Sequence, residues 1–366
     1  MYMLRKVRHM AGRALSHFRA DAARERVHGP LEAHLALPSR QSTDEFIIIP
    51  GRDLLPRAWS HLGNPGPLRT FNPTILKHGD EWLFAYRVVG PDLVRRIALC
   101  RLDTSFRVVP ESQVPLSDWL QVPPGRQYPD QVRTWFADPR LVRLGGRTLL
   151  YWNSGWHEPM NSQFLQELEG VGLHPVGFPR ELVLRGERRT IEKNWGIFGD
   201  GPFYMVYSIV PQRVLEFSLE GTGDLDCVEI HATPWNNDEW TARHGELRGG
   251  APPQRVGDHY YSVGHAVTGT PGDYRYVAGA YRFEARAPFA PTDVARLPLP
   301  LPNPFGARTL FERLNPVCGA SVYPSGAVHE GGKWIISYGI NDEQCAIAVI
   351  SHEYILGTLR SVVRSQ

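Results

Sequence analysis

One frame recurs five times along the chain, and it restricts the fold more than any other feature. Each copy has a polar or proline-containing head, a short strand, a turn with Gly or Asp, and an aromatic-rich strand. The copies begin at Phe71, Ala137, Lys193, Gly250 and Tyr323, roughly 55 to 75 residues apart. The copy at Ala137 reads A-D-P-R-L-V-R-L-G-G-R-T-L-L-Y-W-N. Its strands are Leu141 to Leu144 and Thr148 to Trp152, and Gly145 and Gly146 make the turn. Two β-rich runs joined by a short glycine turn read as a hairpin. A further apolar strand follows the hairpins, at Ile97–Leu102, Val214–Phe217, Tyr276–Phe283 and Ala346–Ile350. The apolar period is two, which argues against a helical repeat. Such a unit cannot bury both faces alone, so copies stack radially around a channel. The expected fold is all-β, a five-bladed β-propeller over residues 46–360, with a β-sandwich as the alternative. Two interruptions are expected to roof the mouth or brace a blade: residues 110–135 and the Pro-rich residues 286–315.

Composition narrows the function. The 31 prolines and 35 glycines suit many turns and short strands. With 40 basic and 38 acidic residues, the chain lacks the clustered basic excess that phosphate backbones demand, so no nucleic-acid partner is expected. No apolar run approaches the ~20 residues of a membrane span. Residues 1–30 differ from the rest. Leu4, Val7, Ala11, Leu15 and Phe18 recur at helical spacing among Arg5, Lys6, Arg8, Arg13 and Arg19. This predicts a short basic amphipathic arm, packed on the domain, resting weakly on an anionic membrane surface, or serving as a transit segment. Cys100, Cys227, Cys318 and Cys345 form no C-x-x-C pair, which predicts buried free thiols in a reducing, cytoplasmic setting. No Rossmann, Walker or G-x-S-x-G fingerprint is present, and the histidines lack ligand spacing, so neither cofactor nor metal is expected.

In a propeller the heads and exits of the inner strands converge on one mouth. Here the heads supply Asn72, Asp138, Lys193, Asn194, Arg248 and Ser325. The exits supply Arg87, Asn153, Ser208 and His265, and Asp342 and Glu343 follow the last hairpin. Taken singly, each is as well read as a turn cap or a solvated charge. A polar group at the same place in every copy points to a functional mouth. Trp135, Trp152, Trp156, Trp195 and Trp235 fall near it, either to stack on sugar rings or to pack the blades.

These residues carry a resemblance. The heads F-N-P (71–73), A-D-P-R-L (137–141), E-K-N-W (192–195), R-G-G-A-P-P (248–253) and Y-P-S-G-A-V (323–328), with Y-G-I-N-D-E (338–343), resemble glycoside hydrolase family 130 and related five-bladed glycosidases and phosphorylases. The resemblance covers about residues 68–355. It implies an enzyme acting on an oligosaccharide or glycoside, cleaving β-mannosides with inversion by phosphorolysis or hydrolysis, with Asp138 as general acid. It implies inorganic phosphate as a co-substrate held by Lys193, His265 and His157. Asn72, Arg87, Arg140, Asn194, Trp195, Arg248 and Ser325 would line the substrate site, Arg140 bracing Asp138. The run N-S-G-W-H-E (153–158) and the Asn of K-N-W depart from the phosphorylase pattern. Water as nucleophile would need a carboxylate base, with Glu192, Asp342 and Glu343 as candidates. A protonated Asp138 is expected from a low-dielectric, aromatic-walled channel. A synthetic-direction phosphorylase or glycosyltransferase building a cell-surface glycan is the alternative, as is a non-catalytic glycan-binding propeller.

Overall fold

The computed structural model describes residues 45–364, apart from 64–65, 124–126, 156–159 and 171. The arm expected at 1–30, Trp156 and His157 lie outside the described residues. The rest is built mostly of strands. A three-stranded antiparallel sheet comprises Arg69–His78, Glu81–Val89 and Arg95–Leu102. A nine-stranded sheet contains two antiparallel runs. The first is Ala137–Leu144, Arg147–Asn153, Gln163–Glu169 and Arg180–Leu184; the second is Gly196–Phe198, Phe203–Ser208, Gln212–Phe217 and Leu225–Thr233. A ten-stranded sheet contains His259–Thr268 with Tyr274–Glu284 and Pro291–Ala295, then Cys318–Glu330, Lys333–Ile340 and Gln344–Ser351. Each sequence-read hairpin therefore appears, the fourth as the short strand Gln254–Val256 paired antiparallel with His259–Thr268.

Two parallel ladders fuse neighbouring runs into these larger sheets. Leu225–Thr233 pairs with Arg180–Leu184, and Tyr274–Glu284 pairs with Cys318–Glu330. The strand Glu45–Ile49 pairs antiparallel with Gln344–Ser351, from Glu45↔Val349 to Ile49↔Cys345. This pairing joins the first described strand to the last long one and covers an edge that would otherwise present open N–H and C=O groups. The insert at 110–135 carries short helices at Leu116–Trp119 and Gln131–Thr134. The Pro-rich stretch contributes the strand Pro291–Ala295.

Alternation along the strands explains why the runs stack. Trp82, Phe84 and Tyr86 share a core with Val328, Ile335 and Ile347 of the last run. Leu83 and Ala85, on the opposite face, pack with Leu141, Leu150 and Phe164 of the next run. That run turns Val142, Leu144 and Tyr151 toward Ile197, Met205 and Leu215. Phe198, Val206 and Val214 then join Tyr260, Val263, Trp334 and Ile336 in the largest core. Each run thus buries both faces, and the packing returns from the last run to the first. At about 25 cal/mol per Å² of apolar area, these shared faces are the main stabilising contribution. All four cysteines are buried thiols. Among the described residues, no helix is long and apolar enough to cross a membrane.

Candidate active site

The heads of the strands are bulged, and the bulges aim their side chains. Register shifts fall between Phe71 and Thr74, between Ala137 and Arg140, and between Pro324 and Gly326. The unpaired residues include Pro73, Pro139 and Ser325, and a bulge is where a strand tolerates proline. Asn72 and Asp138 adopt φ of 50° and 51°, a left-handed conformation that Asn and Asp accept more readily than other side chains. Asn194 and Asp342 do the same at 64° and 57°. N-P and D-P at the heads are thus the sequence trace of side chains turned out of the ladder. Close approach elsewhere requires glycine. A Cβ on Gly249 would lie 2.0 Å from the Asn194 carbonyl oxygen, and one on Gly339 would lie 2.3 Å from Asn72 Oδ1.

Asp138 is the hub. Asn72 Nδ2 donates to its Oδ1 at 2.9 Å, and Arg87 Nη1 does so at 3.2 Å. Among the described residues Oδ2 accepts no hydrogen bond, so one carboxylate oxygen is anchored and the other is presented. Arg87 lies over the Phe71 ring, 4.6 Å from its centroid. Arg140, 2% exposed, lies beneath this pair. It donates to the carbonyls of Asp138 (3.1 Å), Pro139 (3.0 Å) and Gly250 (2.6 Å), and to the Tyr323 hydroxyl (3.1 Å). The Tyr323 hydroxyl donates in turn to Asn194 Oδ1 at 2.6 Å. One chain of hydrogen bonds therefore ties together the heads near 72, 138, 194, 250 and 323.

The charges decide the protonation states. Burial pushes the Asp138 carboxyl up, but Arg87, Arg140, the Asn72 hydrogen bond and Lys193 together hold it below its ordinary value. Asp138 is therefore ionised in the ligand-free protein, a correction to the protonated state expected from a dry channel. Burial raises the carboxyl less than the cations and the Asn72 hydrogen bond together lower it. Asp342 goes the other way. Burial and the charge of Asp138 hold it above the ordinary range, against Arg87, Lys193 and Arg95. Among the described residues no hydrogen bond engages its carboxylate. Burial depresses the half-buried Lys193, with Arg248 and Arg87 adding to the effect and Asp138 and Asp342 opposing it.

His265 pairs with Arg248 across the ladder and stacks on Tyr276, ring centroids 5.7 Å apart. Its Nδ1 lies 3.0 Å from the Gly249 carbonyl, so the neutral ring carries its proton there and leaves Nε2 an acceptor. Burial, then Arg248, Lys193 and Arg140, push its pKa down to about 3. His265 can therefore accept from a hydroxyl but brings no positive charge to a phosphate, unlike the role the resemblance implies. The unfolded chain protonates a histidine near pH 6.5, whereas the folded one does so only near 3. Stability from this group is present above about pH 6.5 and falls by up to about 1.4 kcal/mol per pH unit as pH drops toward 3. Urea midpoints at stepped pH are expected to decline less steeply in His265→Gln than in the wild type.

Several other expected site residues are occupied elsewhere. Glu192 is 3% exposed, and its Oε1 accepts from the Arg189 amide at 2.7 Å and the Tyr207 hydroxyl at 2.8 Å. It holds a loop and is not poised as a base. Trp195, 1% exposed, packs on Tyr207 in the core, so its face cannot stack on a sugar. Trp152 and Trp235 are likewise core residues. Ser325 is fully buried, and its hydroxyl donates to the Tyr323 carbonyl at 3.3 Å. Glu343 accepts from the Leu310 and Phe311 amides at 2.7 and 2.9 Å, clamping the loop 303–313. Glu343→Ala leaves both amides unpaired, at about 1–3 kcal/mol each. Faster proteolysis within 303–313 and a lower Tm are the expected outcomes. Tyr276 and Tyr323 are central here, yet nothing in their spacing marked them; only the place of Tyr323 just ahead of the P-S head was a signal.

No protein-family model matches the chain, and no curated protein matches its sequence. Solved structures do resemble it. A β-1,2-mannobiose phosphorylase from Listeria innocua aligns at 14% identity over 86% of this chain and 98% of its own, with a TM-score of 0.56. A structure described with the glycoside hydrolases of family 130 that target β-1,2-mannosidic linkages in Candida mannan aligns at 14% identity over 87% and 96%, with a TM-score of 0.57. A candidate glycoside hydrolase from Parabacteroides distasonis aligns at 15% identity over 78% and 87%, also at 0.57. At these identities the likeness is one of fold.

Proposed function

We propose that the chain is a carbohydrate-active enzyme similar to glycoside hydrolase family 130. In this reading the antiparallel runs are five blades, and the mouth where their heads meet breaks β-mannoside bonds with inversion. The observation that carries it is Asp138: one oxygen is anchored by Asn72 and Arg87, the other is presented, and cations surround it. Arg87, Lys193 and Arg248 suit an anionic nucleophile, which supports phosphorolysis. An anion on these cations cancels the charge that keeps Asp138 ionised, so Asp138 takes up a proton when phosphate binds. It then gives that proton toward the leaving oxygen, directly or through a substrate hydroxyl, while a phosphate oxygen forms the new bond to the anomeric carbon from the opposite face. Inversion at that carbon gives the sugar 1-phosphate.

Hydrolysis is the second reading, and Asp342 favours it. Its carboxylate has no hydrogen bond among the described residues, and its raised pKa suits a general base for water. Incubating the protein with β-mannosides, with and without phosphate, separates the two. Mannose 1-phosphate formed only with phosphate supports the first reading; free mannose at the same rate in both supports the second and refutes the first. Phosphorolysis also predicts that the alkaline limb of the rate profile moves to higher pH as phosphate is raised.

A further inference from the structure

Three arginines share one face at one end of the first sheet. Arg69 and Arg95 both pair with Val89, from its two sides, and Arg87 lies two residues before Val89. Directly paired residues, and residues two apart on a strand, project to the same face. Like charges in this arrangement repel, and burial removes the water that would screen them.

Their hydrogen bonding is far from satisfied. A guanidinium carries five N–H donors. Arg69, 3% exposed, donates to the Glu312 carbonyl, Arg87 to Asp138, and Arg95 to the Leu93 carbonyl. Among the described residues Arg69 Nε and Nη1, Arg87 Nε and Arg95 Nε are buried and find no acceptor. Each guanidinium also has an aromatic face beneath it: Phe311, Phe71 and Trp135, at 5.1, 4.6 and 4.2 Å. Aromatic rings hold the planes in place but accept few of the N–H bonds. The acidic groups that face them are Glu312 and Glu343 for Arg69, and Asp342 for Arg95. Glu343 is already committed to two loop amides, and among the described residues no carboxylate forms an ion pair with Arg69 or Arg95. Burial and the charge of Arg87 lower Arg95 to about 10, the direction expected of cations short of counter-charge.

We infer that Arg69 and Arg95, with Arg87 at the boundary of the reaction centre, form an oxyanion subsite that takes a phosphate or carboxylate group carried by the glycan substrate. Planar guanidinium forks match both groups bidentately. The inference rests on the reading of the mouth as a glycan site, and it makes that glycan acidic. Of the cations assigned to the attacking phosphate, Arg87 borders both sets, while Lys193 and Arg248 come from other stretches of the chain.

Equilibrium binding tests this without turnover. Titration calorimetry with mannose 6-phosphate against mannose examines a phosphate-bearing sugar, and methyl β-mannuronide against methyl β-mannoside examines a carboxylate. At least one charged ligand is expected to bind about tenfold or more tightly than its neutral counterpart, an advantage that shrinks with added salt. The Arg69→Gln/Arg95→Gln double variant should abolish the advantage, and Arg95→Lys should retain part of it. Equal affinity within both pairs in the wild type, or an undiminished advantage in the double variant with unchanged Tm, overturns the subsite. If the double variant fails to fold, the Arg95→Lys and single Arg95→Gln titrations decide: an advantage equal to wild type in Arg95→Gln overturns it. Absence of turnover on any glycoside is a separate result, bearing on the proposed reaction.

Discussion

Asp138→Asn is expected to stop turnover while leaving a folded protein that still binds sugar. Losing a group that transfers a proton in the transition state costs about 10²–10⁴ in rate. Asparagine keeps the shape of the head and can still accept from Asn72 and Arg87, which now reach Asp138 Oδ1 at 2.9 and 3.2 Å. It cannot carry the transferred proton. The ionised carboxylate contributes stability above the ordinary carboxylate pKa, and that contribution disappears as pH falls through its depressed folded value. The variant should therefore be somewhat less stable than wild type near neutral pH and nearly equal to it in acid. Steady-state rates and Tm measured on the same preparation check both halves. Rates within a few-fold of wild type would remove Asp138 from the chemistry.

Arg140→Met should have the largest effect on stability. The guanidinium is 2% exposed and binds three backbone carbonyls and the Tyr323 hydroxyl. Methionine fills much of the space but leaves those acceptors buried without donors. Breaking a buried charged network in this way costs about 3–5 kcal/mol. For a chain of this size 1 kcal/mol moves Tm by about 1.3 °C, so a fall of about 4–7 °C is expected. Turnover should fall too, because Arg140 fixes the backbone on which Asp138 sits. Arg140→Lys should rescue little, since an ammonium cannot span four acceptors in a planar fork. A Tm within 2 °C of wild type would show that the heads are held together by something else.

Most of the fold was legible because alternation is local. L-F-A-Y from Leu83 to Tyr86 declares two buried faces within four residues, and the structure gives one face to each neighbouring run. The pairing of Glu45–Ile49 with Gln344–Ser351 was not legible, since nothing local records a partner some 300 residues away. The heads were legible as polar interruptions, and the D-P and N-P pairs mark bulges whose φ reverses the side chain. What failed was the assignment of roles. Trp195 and Glu192 are neighbours of Lys193 in sequence, yet alternation and a loop turn both of them into the interior. The ionisation of Asp138 depends on Arg87, Arg140 and Lys193 together, from three separate stretches of chain. Nothing in the sequence groups Arg69 with Arg95; only the register puts them on one face.

The most direct measurement is a chromatographic time course of the wild-type protein with β-linked manno-oligosaccharides in phosphate buffer. A glycosidic centre built on Asp138 predicts that the oligosaccharide shortens, with mannose 1-phosphate or mannose appearing in step, and that Asp138→Asn leaves it intact. Oligosaccharides of every β-linkage that stay at full length, despite measurable binding to the same protein, would contradict it.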